Sequence, residues 1–387
     1  MFGKNKNLLI LFILVSLVYF LSSNGTTPFD YFTRLAEAFI HGGLYITNPP
    51  SWLTELIPIQ NNSFFVVYPP MPAILLVPIQ LLWKNFPQQY LAHILGALIA
   101  IIFTKIAKKF NSNKSFIIWI FLFVSLGNII WYMASTGSVW YLGQITASFF
   151  MSLAIYESVS KKRPWHIGVF LGAMYLSRIN TIVALPFFLH VLYNKNWFKN
   201  YIKLGFGLLP FILFNFMYNY LRFGTIFDTA YFLLPKILSE ETKPWFANGV
   251  ANIVYIPNNL KAMFWTFPKI LSHFPYIQPS WAGLAIWITT PAFIYAFFAK
   301  FKEKVNRFIW ISILLVFLIV ASHGGTGWSQ FGYRFAVDFY PLLFLLTIKG
   351  IVNMNGPKWH HWMLLFFSII VNLWGVLWIN KFGWVSF

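Results

Sequence analysis

Few side chains in this sequence can move a proton or grip an anion, and they fall in short clusters. Asp30 lies in "TPFDYFTRLAEAFIHGGLYI", Glu55 in "WLTELIP", Tyr68 before two prolines, and Arg178 in "YLSRINT". Arg222 opens "RFGTIFDTAY", and Tyr333, Arg334 and Asp338 share "GWSQFGYRFAVDFYP". A carboxylate at neutral pH can take a proton from a hydroxyl, and the planar fork of arginine matches a phosphate without help from a metal. Thiolate chemistry, disulfides and cysteine-ligated metals are excluded, because there is no cysteine. The sequence has no GxxxxGK[ST] loop, no HExxH, no GxSxG and no Asp-x-Asp pair, so nucleotide hydrolysis and zinc proteolysis have no support. Eight scattered histidines offer no ligand spacing, and the expectation is a site without a metal.

These groups are carried by a chain that is 58% apolar and only 10% charged, with long apolar runs up to its C-terminus. The solvent for such a chain is mostly lipid. Reading apolar runs as spans gives about eleven, roughly at 8–23, 90–105, 115–134, 141–157, 165–178, 181–194, 201–219, 281–299, 308–322, 335–352 and 359–379. The expected fold is therefore an all-α, polytopic transmembrane bundle forming a single integral membrane domain over residues 1–387. The first run lacks a small-x-small cleavage site and reads as a retained anchor.

The formal charge of +19 invites a nucleic-acid reading, but the distribution of sign gives a simpler one. With the N-terminus inside and the C-terminus out, "KIAKKFNSNK", "SKKRP", "NKNWFKNYIK" and "KFKEKVNR" all fall in the cytoplasm, a positive-inside pattern. Asp30, Glu37, Glu55, Asp228, Glu240, Glu241 and Asp338 fall outside, leaving Glu157 and Glu303 within. Any acid chemistry is then extracytoplasmic, in a protein of the plasma or inner membrane. No nucleic-acid partner is required.

Two outer segments must position the candidates. The first runs over 24–89. Within it, Phe32, Leu35, Ala36, Phe39 and Ile40 recur at helical spacing, Thr27 or Asp30 can cap the helix, and Gly42-Gly43 ends it. The apolar but proline-broken 68–83 reads as a juxtamembrane or re-entrant piece, with Tyr68-Pro69-Pro70 setting the loop path. The second outer segment, 220–280, is long enough to be a folded cap. Arg334 and Asp338, four apart, would share one helical face and pair with each other, while Arg178 would sit at a hairpin tip. Most aromatic rings read as interface belts and packing, with Trp140, Tyr141 and Trp328 the exceptions that could face a sugar. A transporter or flippase of lipid-linked saccharides, an O-antigen-type polymerase or ligase, or a membrane scaffold would share the spans. Related halves or helices broken at mid-membrane, the mark of many transporters, are not evident.

Taken in order, the first-loop segment, "LTELIPIQNNSFFVVYPPMPAILLVP", "GSVWYLGQI", "GVFLGAMYLSRINT", "RFGTIFDTAY" and "QFGYRFAVDFYPLLFLL" resemble the GT-C glycosyltransferases. The likeness is to bacterial relatives of the dolichol-phosphate-mannose-type mannosyltransferases. It implies a polyprenyl-phosphate sugar as donor and a glycan, lipid or protein as acceptor, with membrane lipid around the site and no cofactor besides the substrates. It also implies that Asp30 is the general base; the residues themselves put Glu55 second as a catalytic candidate and suit Arg334 to holding the donor phosphate. Arg178, Arg222, Tyr68, Tyr333 and Asp338 would bind substrate around them. The family often sets a second acid beside the first, whereas this chain has Phe29-Asp30-Tyr31. Inversion at the anomeric carbon would follow from a single-step displacement.

Overall fold

The computed structural model describes residues 2–280, 282–327 and 330–383. Trp328 lies outside the described residues. Among the described residues, five helices are long and apolar enough to cross a membrane: Gln88–Phe110, Val139–Val159, Trp197–Phe223, Lys304–Ala321 and Trp359–Lys381. Lys114–Leu126 and Ile130–Thr136 add a sixth if the pair, bent by 49°, counts as one. The other apolar runs form shorter helices, such as Ile179–Leu192 and Tyr340–Asn353, so eleven full spans are not what the fold displays. The run at 281–299 departs furthest. It contains a strand, Ala282–Leu284, a four-residue helix, Ile286–Thr289, and a 3-10 helix, Pro291–Phe298. Hydropathy registers apolar side chains but not Pro291, which has no N–H to continue the helix before it.

The fold is mostly helical and not all-α, because small sheets shape the outer loops. Strands Ile46–Thr47 and Leu56–Pro58 both pair antiparallel with Ser63–Val66. Ala282–Leu284 pairs in parallel with Gln330–Gly332, bringing together segments far apart in sequence.

Two helices form the heart of the bundle. The apolar windows of Gln88–Phe110 and Val139–Val159 are each 78% buried, against 28% for Trp197–Phe223. The outer helices therefore turn apolar side chains outward, among them Phe206, Leu213 and Met217, as helices facing lipid do. Where Pro164–Ser177 crosses Trp197–Phe223, Gly168 and Gly207 let the backbones meet, since a Cβ on either would strike the other helix's backbone.

The long helices that line the site do so at one end: Val139–Val159 through Val139, Trp140 and Gly143, Pro164–Ser177 through Ser177, and Lys304–Ala321 through Ile319 and Val320, whereas Lys161 and Lys304 lie at or just beyond their other ends. The first-loop helix is Tyr31–Ile40, ended by His41 and by Gly42 at φ +74°. Its buried face includes Phe32, Leu35 and Ala36, and also Thr33, whose hydroxyl donates to the Phe86 carbonyl and accepts from the Gln88 N–H. The proline-flanked helix Met71–Leu82 is twelve residues long, or about 18 Å at 1.5 Å per residue, too short for a hydrocarbon core of about 30 Å. It packs on the first-loop helix. The 220–280 segment meets the first-loop sheet through a small apolar cluster, Ile57, Val67, Ala230, Leu234 and Phe246.

Candidate active site: two chambers meeting at Arg334

Arg334 begins a 3-10 helix, Arg334–Asp338, directly after the parallel strand pair. Gly332 fits closely there, since a Cβ would press on the side chains of Ile129 and Thr289. The core helix Val139–Val159 then fixes the segment from behind: Gln144 donates to the Arg334 carbonyl at 3.0 Å and Ser148 to that of Val337 at 3.1 Å. A 3-10 turn takes three residues, so positions four apart do not share a face. The expected Arg334–Asp338 pair is consequently not formed. Asp338 instead accepts from Arg178 at 2.8 Å and from Asn180 at 2.8 Å, across 160 positions of sequence in the first case.

Arg334 itself is 8% exposed and has no carboxylate within the 4.0 Å of an ion pair among the described residues. Its guanidinium carbon lies 4.9 Å from the ring centre of Phe335 and 5.7 Å from that of Tyr141, and its buried Nε has no partner. A buried cation with an idle donor is costly unless an anion joins it.

Two cavities open onto this residue. One, of about 290 Å³, is lined by Arg178, Asn180 and Asp228 and by apolar groups including Ile179, Phe232, Ile319 and Val320. Phe232 is 69% exposed and Ile319 38%, so this chamber's wall reaches the apolar outside of the bundle. Burial pushes the Asp228 carboxyl up, against the pull of Arg222. The other cavity, of about 580 Å³, is lined by Glu55, Glu240, Trp245, Asn258 and the 325–327 glycine turn. Tyr68, Trp140, Tyr231, His323, Arg334 and Phe335 border both.

Glu55 is half-buried in the larger chamber. The Tyr31 hydroxyl accepts its N–H at 3.2 Å, and the Trp140 indole donates to its Oε2 at 2.8 Å. Desolvation pushes its pKa up to about 7, although the Trp140 hydrogen bond and the Arg334 charge oppose this; Glu240 adds to it. A carboxyl with such a value is balanced between acid and base at neutral pH.

Asp30 is placed differently. It precedes the first-loop helix but makes no side-chain cap, because its Oδ1 accepts from Arg34 Nε at 2.8 Å on a partly exposed face. It is absent from the described linings of both chambers, whereas its neighbour Phe29 lines the larger one. Tyr68 lies on both chambers and packs against Tyr31 and Phe32. Tyr333 is fully buried and donates to Asn259 at 2.8 Å, away from the described chamber linings. Arg222 donates to the Val66 carbonyl and to Asn219 and stacks on Tyr218, which ties the first-loop sheet to Trp197–Phe223. It lines neither chamber.

Sequence reasoning did not single out His323, Tyr231, Glu240 or Trp245. His323 Nδ1 faces the Gly325 carbonyl at 2.8 Å, which can only accept, so that nitrogen carries the proton and Nε2 accepts from the Tyr231 hydroxyl at 2.9 Å. Burial holds its pKa down at about 4 and the ring stays neutral. A lone histidine before "GGTG" was the only available signal. No cluster of metal-ligating residues occurs among the described residues.

No family model and no curated protein matches this sequence. The fold does match solved structures. ArnT from Cupriavidus metallidurans bound to undecaprenyl phosphate aligns with a TM-score of 0.56 and 12% identity, over 98% of this chain and 66% of that one. The Archaeoglobus fulgidus oligosaccharyltransferase in its apo form gives 0.54 and 13%, over 96% and 55%. AglB from the same organism, in complex with an inhibitory peptide and a dolichol-phosphate, gives 0.54 and 11%, over 99% and 56%. This chain thus spans just under two thirds of ArnT's length and little more than half of AglB's. The shared feature is the fold.

Proposed function

We propose that this chain transfers a sugar from a polyprenyl-phosphate donor to an acceptor hydroxyl at the outer face of the plasma or inner membrane. The observation that carries this reading is Arg334, a buried cation lacking a carboxylate partner among the described residues, at the junction of two chambers of opposite character. A lipid phosphate suits the smaller chamber, where Arg178 joins Arg334 and apolar walls lead outward to the acyl region. The resemblance read from the sequence and the bound undecaprenyl and dolichol phosphates of the structural neighbours point the same way. The lysine-rich helix ends lie opposite the site, which supports an extracytoplasmic active site.

In the reaction, the acceptor oxygen attacks the anomeric carbon as the bond from that carbon to the phosphate oxygen breaks. The acceptor proton passes to a carboxylate, and Arg334 with Arg178 stabilises the charge gathering on the departing phosphate. One displacement inverts the anomeric centre. Asp338 and Asn180 position Arg178. Glu55 is the base that the geometry favours, since it faces the chamber and has no cation within ion-pair distance among the described residues.

A second reading keeps Asp30 as base, as the resemblance implies. One observation favours it: its pair with Arg34 is partly exposed and close in sequence, a kind worth at most about 1 kcal/mol, so an arriving phosphate could draw Arg34 away. The function is tested by offering reconstituted protein a panel of radiolabelled undecaprenyl-phosphate sugars. Label should move to an acceptor fraction in the wild type and not in Arg334→Gln. Equal transfer by that variant would refute the phosphate assignment.

A further inference from the structure

The larger chamber carries two carboxylates, and each is held in the same way. The Trp140 indole donates to Glu55 Oε2 at 2.8 Å, and the Trp245 indole donates to Glu240 Oε2 at 2.8 Å. Neither acid has a lysine, arginine or histidine within ion-pair distance among the described residues. An ionised carboxylate has room for about four hydrogen bonds, so an indole leaves most of that capacity unfilled. Each indole has used its single donor and presents only its ring to a ligand. Arg334, 8% exposed and with an unpartnered Nε, borders the same space.

We propose that this chamber is the acceptor site and that it takes a neutral or amine-bearing saccharide while rejecting acidic ones. The inference rests on the transferase reading above and names the acceptor that the reading leaves open. A volume of about 580 Å³ lies within the usual range of small-molecule sites, about 300–1,000 Å³. A saccharide offers several O–H groups on a stiff ring to carboxyls with open hydrogen-bonding positions, together with C–H faces that suit the negative faces of tryptophan. A lipid tail offers no donors to these carboxyls. The two acids already feel each other, since Glu240 helps to push Glu55 up. Arg334 is committed to the phosphate, so a further negative charge would meet only repulsion here.

The test needs no turnover. The full chain in nanodiscs with undecaprenyl phosphate is titrated with methyl glucoside, glucosamine, glucuronate and a Gly-Ser-Gly peptide, and binding is read by saturation-transfer NMR. Methyl glucoside and glucosamine should bind, with glucuronate weaker by roughly tenfold, the scale of one like charge at close range in a partly hydrated site. Trp245→Ala should abolish saccharide binding. Glu240→Gln keeps an acceptor for the indole and removes the charge, so glucuronate should come within about twofold of the glucoside, which is a small residual on the same electrostatic scale. Equal binding of glucuronate and glucoside in the wild type would overturn the proposal, as would peptide binding with the sugars silent. Undecaprenyl phosphate is followed separately by ³¹P NMR. If the lipid binds and no sugar does, the acceptor inference fails and the transferase reading stands; if sugars bind and the lipid does not, the transferase reading fails.

Discussion

Asp30 brings its own counterion, Arg34, at 2.8 Å on a partly exposed helical face, whereas the Glu55 carboxylate is met by a neutral donor, an indole N–H at 2.8 Å, and looks into a cavity that also holds Arg334. The same contrast separates two arginines. Arg222 has its donors engaged by Val66, Tyr218 and Asn219, while Arg334 keeps an idle Nε in a buried setting. In both pairs the ionisable group is the same, and the difference lies in how much of its bonding capacity the fold has already used. Of these four groups, the two whose charge the protein satisfies hold structure together, and the two left less satisfied beside a cavity await a ligand.

The sharpest way to break this comparison is Glu55→Gln. The amide still accepts from Trp140 but cannot take a proton, so transfer should fall by about 10²- to 10⁴-fold, the usual contribution of a general base, with donor binding unchanged. Single-turnover transfer of radiolabel measures it, and a loss below threefold would move the base elsewhere. Next in size is the arginine pair. Arg334→Gln should cost about 10²- to 10³-fold in transfer, the scale for removing one preorganised donor from a charge-developing site. Arg222→Gln should lower thermal stability while changing the rate of the folded protein far less. Similar rates in the two variants would erase the distinction between an idle and an engaged guanidinium.

The sequence made some of this legible, for physical reasons that can be named. Periodic apolar residues at 32, 35, 36, 39 and 40 and the Gly42-Gly43 stop are local signals, and Tyr31–Ile40 follows from them. The partner of Asp338 is not local. It is Arg178, and the pairing of Ala282 with Gln330 is what sets the Arg334 segment at this place in the chain. Helical spacing suggested a face shared by Arg334 and Asp338, but the segment is wound at three residues per turn, and nothing in "GYRFAVD" announces that. The Glu240–Trp245 pair lies in the 220–280 cap, whose shape depends on docking to Ile57 and Val67 of the first loop. The mixed signs of the two chambers could not be seen before these distant pieces met.

A finer test works on the titration of Glu55. Its pKa is raised to about 7, and a base must be ionised, so activity should be full above that value and fall tenfold per pH unit as pH drops below it. Trp140→Phe keeps a ring on Phe29 but removes the hydrogen bond that favours the charged form. The inflection should therefore move up by about one pH unit, the equivalent of a charge-assisted hydrogen bond of about 1.5 kcal/mol. An inflection that stays in place, or moves down, would show that the titrating group is not Glu55.

The smallest change is expected from Asp30→Asn, and it decides between the two carboxylates. The substitution removes an exposed i,i+4 pair of the class worth under about 1 kcal/mol, with no buried hydrogen bond lost, because Asp30 makes no side-chain cap. If Glu55 is the base, transfer should stay within about threefold of wild type and the pH inflection should stay near 7, both following from the small energy of that pair. Arg34→Gln sharpens the result, since it frees Asp30 without altering it. Under the Glu55 reading this variant resembles wild type, whereas under the Asp30 reading it removes the competitor for the carboxylate and changes how donor and rate depend on each other. A loss in Asp30→Asn as large as that expected for Glu55→Gln, with Glu55→Gln itself near normal, would reverse the assignment.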